Sequence, residues 1–224
     1  MVKAGFPYYK GKTNHIRNKN LTIRFHQGDL PNLDNYPDSI AVDTETLGLN
    51  PLRDRLCVVQ LSPGDGTADV IQIAKGQKDA PVLKSLLEDD NRTTMFHFAR
   101  FDLAVLQNAL GISCSNVYCT KIASKLTRTY TDRHGLKDLV KELIGVDISK
   151  QQQSSDWAAD VLSQAQLEYA ASDVLHLHEL RAHLDKRLER EERSELAKAC
   201  FEFLSTRAKL DLAGWPDTDI FAHS

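Results

Sequence analysis

Two carboxylates two residues apart, Asp43 and Glu45, end the run I-A-V-D-T-E-T-L-G-L of residues 40–49. Side chains alternate faces along a strand, so these two point the same way while Ile40, Val42 and Thr44 point the other. Neighbouring carboxylates repel, and the usual relief is a divalent metal ion held by their oxygens. The alternative is an exposed D-x-E on an edge strand, solvated and inert. Two further carboxylates bear on the choice. Asp102 opens a helix after a strand ending F-H-F, where favourable interaction with the helix dipole also explains an acid. Asp173 follows Tyr169 by four residues, on one helix face beside the apolar stripe. A plain structural hydrogen bond would account for that pair taken alone.

The elements that must position these residues follow from pattern. Residues 21–25, 39–45, 55–61 and 68–74 read as strands, and the short turns joining the last three, including S-P-G-D-G at 62–66, make those pairs antiparallel. Then the pattern alternates: helix at 80–87, strand at 93–97, helix at 101–110, strand at 114–119, and helices near 119–128 and 135–144. Leu167, Ala170, Val174, Leu177, Leu180, Leu184 and Leu188 keep helical spacing, which predicts one helix from 163 to about 190, the longest of the chain. Its end, K-R-L-E-R-E-E-R, reads as a solvated face. A further helix spans 196–204. Trp215, Ile220 and Phe221 in the tail predict docking, on the same domain or on a neighbour. This order specifies an α/β fold: a mixed sheet flanked by helices, with a helical C-terminal portion.

Composition sets bounds. The 224 residues, 42% hydrophobic, suit a single domain over 21–224. Residues 1–20, with Lys3, Lys10, Lys12, Arg17 and Lys19, read as a flexible N-terminal extension or an expression remnant. No run of about 18 apolar residues predicts a membrane span. Cys57, Cys114, Cys119 and Cys200 form no C-x-x-C pair and no zinc spacing; they read as reduced thiols of a cytoplasmic protein. The net charge of −3 disfavours a long groove tracking a nucleic-acid backbone more than it disfavours short substrates.

Taken together, D-x-E at a strand end, H-x-x-x-F-D at a helix start and Y-x-x-x-D on a later helix resemble the three motifs of the DEDDy 3′–5′ exonucleases. Here they read V-D-T-E-T-L-G-L, F-H-F-A-R-F-D-L and Y-A-A-S-D-V. The resemblance implies a ribonuclease H-like fold. Within that superfamily the chain is similar to the ribonuclease D group, with two departures. It leaves no room for that enzyme's C-terminal helical nucleic-acid-binding domains, and S-D-W-A-A-D-V-L lacks the R-P-L typical there. From about residue 21 on it looks very like the compact nano-RNase C family, through T-R-T-Y-T-D-R-H-G-L (127–136), S-K-Q-Q-Q-S-S-D-W (149–157) and the closing D-I-F-A-H-S.

That resemblance implies phosphodiester hydrolysis at two divalent ions, Mg2+ or Mn2+. Asp43 would be shared by both, Glu45 and Asp173 would complete the first site, Asp102 would support the second through water, and Tyr169 would orient the attacking water. Backbone groups of Thr46 and Leu47 would hold the terminal 3′-hydroxyl. Leu49 would wedge between the last two bases; a core leucine is the other reading. His97 would contact the sugar or satisfy the core. The polar run 150–155, with Lys150, Gln152, Ser154 and Ser155, is either a solvated loop or a cap on a 5′ phosphate. Arg128, Arg133 and His134 are further candidates there. The implied substrates are very short RNAs, especially dinucleotides, and the implied assembly a homo-oligomer, a ring-shaped octamer. Longer RNA 3′ ends as substrate, or a non-catalytic nucleic-acid-binding module, are the alternatives.

Overall fold

Strand β3 (Ser39–Thr46) is apolar on both faces over Ile40, Ala41 and Val42, and all three are fully buried. Such a strand belongs inside a sheet covered on both sides. In the computed structural model, which describes residues 15–18 and 21–223, β3 lies inside a seven-stranded sheet. Its companions are β1 (His15–Asn18), β2 (Leu21–Gln27), β4 (Leu56–Ser62), β5 (Thr67–Gln72), β6 (Thr93–Phe96) and β7 (Val117–Cys119), in the order β1-β2-β5-β4-β3-β6-β7. β3, β4 and β5 pair antiparallel, as their short turns require. β6 joins β3 in parallel, and β7 joins β6 in parallel.

Two cores result. Ile40 and Val42 face α1 (Pro81–Leu87), α2 (Ala99–Leu110) and part of α7 (Ser194–Leu212). Ala41 and Val58 face α5 (Gln164–Leu175) and α6 (Leu177–Arg190), with α3 (Thr120–Thr127) and α4 (Leu136–Leu143) beside them. The mixed sheet and helical C-terminal part match expectation.

Two expectations about helices and strands need correction. The helix expected over 163–190 is two helices, because His176 (φ −101°, ψ −4°) caps the C-terminus of α5 and the N-terminus of α6. Leu177 stays in phase with Leu180 and Leu184, so apolar spacing reports a common buried face, not an unbroken backbone. The longest helix is instead α7, with 19 residues. It outruns its apolar signal because Asp211, near its end, is buried between Arg100 and Arg207. The strand expected over 114–119 is confined to Val117–Cys119. His15–Asn18, within the stretch expected to be a flexible extension, pairs antiparallel with β2; the remainder of that stretch lies outside the described residues. The tail is tied to its own domain through its backbone, with the Thr218 carbonyl on Arg207 and Phe221 beside Phe203, while the side chains of Trp215, Ile220 and Phe221 stay exposed. All four cysteines are free. Among the described residues no helix is long and apolar enough to cross a membrane.

Candidate active site

β3 delivers Asp43 and Glu45 to the face covered by α5, and α5 delivers Tyr169 and Asp173 one turn apart. Oxygens of Asp43, Glu45 and Asp173 lie within 4.8 Å of one another. Asp102 reaches the site from the opposite face of the sheet. It sits in the first turn of α2, 2% exposed, and accepts a 2.6 Å hydrogen bond from the Thr44 hydroxyl. The D-x-E pair is therefore not the solvated edge-strand alternative.

The electrostatics are those of crowded carboxylates with no cationic side chain paired to them among the described residues. Burial and the neighbouring Asp102, Asp173 and Glu45 hold the Asp43 carboxyl well above the ordinary carboxylate range. Burial, then Asp173 and Asp102, push Glu45 up to about 9. Burial raises Asp102 and Asp173 to about 7 each. No ion pair forms to any of the four among the described residues; the nearest relief is Lys150, whose field favours ionised Asp173. Oxygen-only donors this close, at least half-buried and with no cationic partner among the described residues, fit hard divalent cations. Burial, with Asp173, Glu45 and Asp43 around it, raises the pKa of the Tyr169 phenol, which keeps its proton.

Asp43, Glu45, Tyr169 and Asp173 floor a cleft of about 640 Å³, and Asp102 lies behind them, outside its lining. Its rim carries Thr46, Leu47 and Leu49 from the turn after β3. A bulge between Glu45 and Thr46 opens this turn and re-aims the chain out of the sheet. The turn is stiff: Thr46 donates to the Gly48 carbonyl, and Asp54 accepts from the Asn50 amide at 3.0 Å. A Cβ at Gly48 would come within 2.3 Å of the Asp54 carboxylate, so any larger residue there would have to displace that side chain. Leu49 is 87% exposed on this rim, so the core-leucine reading is excluded. The Leu47 amide already donates to the Arg55 carbonyl at 3.1 Å. That amide, expected to face a ligand, is therefore already engaged within the fold.

His97 lines the cleft with its Nδ1 2.9 Å from the Thr120 hydroxyl, and burial with Lys121 nearby holds its pKa down at about 3. Lys150, Ser154 and Ser155 also line the cleft. Gln152 does not; Gln153 takes that place, because successive turns, Gln153 to Lys150 and Ser155 to Gln152, reverse the chain there. Arg128 is wholly buried and does not face the cleft.

Sequence reasoning missed several members. Gln60, a lone amide in the apolar strand L-C-V-V-Q-L-S, pairs with Asp43 across β3 and β4 and donates to its Oδ2 at 2.6 Å; its isolation in that run was the available signal. Lys121 and Trp157 also line the cleft, and Trp157 packs on Tyr169 with ring centroids 5.9 Å apart. Gln166 joins two parts of the site. Its Oε1 accepts from the Ser163 amide in a capping box that starts α5, and its Nε2 donates to Ser155 Oγ and the Asp156 carbonyl. Replacing Gln166 with leucine removes the box and unties the 150–156 loop at once. The expected cost is about 1–2 kcal/mol, read as a lower midpoint in urea unfolding with the m-value unchanged.

Comparison with known proteins agrees with this geometry. The family described as 3′–5′ exonuclease matches residues 29–189. Ribonuclease D of Gluconacetobacter diazotrophicus is 36% identical over 169 residues, covering 75% of this chain and 42% of the relative. The chain thus spans less than half the length of that curated relative. NrnC of Brucella melitensis, solved bound to pGG, is 70% identical with a TM-score of 0.88, covering 90% of this chain and 98% of that one. The same nuclease has been solved with bound Mg2+, at 69% identity and a TM-score of 0.87 over 90% of this chain and 99% of that one. With its three motifs gathered into one acidic cleft, the chain belongs to the 3′–5′ exonuclease family, in the ribonuclease D-like group that includes NrnC.

Proposed function

We propose that the protein is a metal-dependent 3′–5′ exoribonuclease that hydrolyses very short RNA, especially dinucleotides, to nucleoside 5′-monophosphates. The observation that carries this reading is the unpaired acidic cluster of Asp43, Glu45 and Asp173 at the floor of a cleft of small-ligand size. The Brucella relative's complex with pGG, a short RNA, supports the substrate class. The free cysteines support a cytoplasmic setting. Exposed Trp215, Ile220 and Phe221 support self-association, in keeping with a ring-shaped octamer.

Asp43, Glu45 and Asp173, with Asp102 behind them, would hold two divalent ions, Mg2+ or Mn2+, which when bound acidify a water and neutralise charge on the phosphate. Tyr169, kept protonated, hydrogen-bonds that water and aims it, and is an orienter, not a base. The Thr46 backbone and the Leu47 carbonyl hold the 3′-hydroxyl, Leu49 separates the last two bases, and His97, neutral at working pH, lies beside the sugar. Lys150, Ser154 and Ser155 close the far end on a 5′ phosphate, and Gln152 supports them from behind. A cap at that position leaves room for few nucleotides.

The test is a set of 5′-labelled RNAs from two to about twenty nucleotides with Mg2+ or Mn2+, set against Asp43→Ala; longer strands need the extended grooves of multi-nucleotide binders. The expected rate is highest for the dinucleotide. Rates that climb with length move the protein to trimming of longer RNA 3′ ends, and saturable binding without cleavage makes it a binding module. Leu49→Ala separates grip from fold. Because Leu49 is exposed, its removal shifts stability by less than about 0.5 kcal/mol, while KM for a dinucleotide rises about tenfold through lost apolar contact.

A further inference from the structure

Arg128 heads the largest side chains fully removed from solvent among the described residues. Burying a guanidinium is costly unless it is paired and hydrogen-bonded, and here it is both. Nε donates to Glu142 Oε1 at 3.0 Å and Nη2 to Glu142 Oε2, forming a two-pronged fork. Nη1 donates to Ser124 Oγ at 3.0 Å and to the Arg133 carbonyl at 2.6 Å. One side chain thereby ties together the end of α3, the connecting segment 128–135 and the last turn of α4. The Tyr130 hydroxyl donates to the same Glu142 carboxylate, and Ser124 Oγ also meets His134 Nδ1 at 2.8 Å.

The tied segment leads directly into Gly135, Leu136 and Lys137, which form part of the cleft wall, and the His134 backbone lies against the His97 ring. None of the bonds that Arg128 makes involves Asp43, Glu45, Asp102, Tyr169 or Asp173. We propose that Arg128, acting through Glu142, is a positioning residue: it fixes the 135–137 wall and so sets how tightly the cleft grips a nucleotide, leaving the metal-ligand cluster alone. Lysine cannot replace it, because a single ammonium cannot span both carboxylate oxygens and the Arg133 carbonyl together.

The inference rests on the proposed activity for its kinetic assay, with pGG as substrate and Mg2+ as the ion. In Arg128→Lys and in Glu142→Gln, KM for pGG rises about tenfold while kcat stays within about twofold, the pattern of lost uniform binding. The rise in melting temperature caused by Mg2+ is unchanged, and trypsin cuts after Arg133 several times faster. Should Arg128→Lys fail to fold, Glu142→Gln carries the test, since that carboxylate lies at the surface end of the fork. An unchanged KM, a kcat that falls as far as KM rises, or an unchanged cutting rate at Arg133 overturns the proposal. If the wild type does not turn over pGG, the proposed substrate fails instead, and the cutting rate with the Mg2+ response still decides the role of Arg128.

Discussion

Replacing Asp43 with asparagine removes hydrolysis and raises the melting temperature of the metal-free protein. The two effects have one origin. Asp43 stands among three other carboxylates, and no cation among the described residues is paired to any of them. Asparagine keeps its shape and still accepts from Gln60, but carries no charge. Without metal, the substitution relieves repulsion; about 1 kcal/mol of relief would shift the midpoint by about 2–4 °C in a chain of this size. With metal, it removes the ligand proposed to serve both ions, and a loss of at least about a thousandfold, ~4 kcal/mol of barrier, is expected. Thermal unfolding in EDTA and turnover of labelled dinucleotide in Mg2+ check the pair. A melting temperature that drops with the activity would show that the residue serves the fold and not the chemistry.

The second expected result concerns pH. Asp102 and Asp173 are raised to about 7 and Glu45 to about 9, against an ordinary value of about 4 for the unfolded chain. Between those limits the native state keeps protons that the unfolded chain has released, so stability falls as pH rises. The contribution is fully present below about pH 4 and is lost as pH passes through 7 and then 9. Asp69 and Glu142 behave oppositely. Despite its burial, the bonds from Arg24, His26 and Tyr36 lower Asp69 to about 2, and Arg128 lowers Glu142 to about 2. Their stabilisation is lost only as pH falls below about 4. His97, held down at about 3, and His134, His176 and His178, held down chiefly by burial, also act oppositely: the unfolded chain binds their protons, so they add stability as pH rises through about 6.5. The carboxylates are read apart from them above about pH 7.5. Divalent ions compete with the retained protons. The metal-free protein should therefore melt lower at about pH 8.5 than at about pH 7.5, because Glu45 is still releasing its proton there, and the Mg2+-induced rise should grow over the same interval. Scanning fluorimetry with EDTA or Mg2+ reads both. A flat metal-free profile, or an Mg2+ effect that shrinks with pH, would contradict the electrostatic account of the cluster.

The local rules carried far. Strand parity set Asp43 and Glu45 side by side, and the four-residue step set Tyr169 beside Asp173. Both were legible because they depend on backbone geometry alone. What escaped depended on partners distant in the chain. Gln60 meets Asp43 only through the β3–β4 register. Thr44 meets Asp102 because β3 presents its other face to α2. The Leu47 amide is consumed by Arg55 because of a bulge that leaves no mark in the composition. The break at His176 was hidden because the apolar stripe runs in phase across it. Gln152 and Gln153 are chemically identical, and only the turn decides which one faces the cleft.

That Asp102 approaches through Thr44 from one layer, while Asp173 approaches from the other, has a consequence for folding. The four acids meet only once both layers have packed against β3, so no isolated hairpin or helix pair can assemble them. An ion held there would act as a rivet through the sheet. Its binding energy would be withdrawn from local openings of α2 and α5 alike, and amide exchange in the two helices, on opposite sides of the molecule, should slow together when magnesium is added.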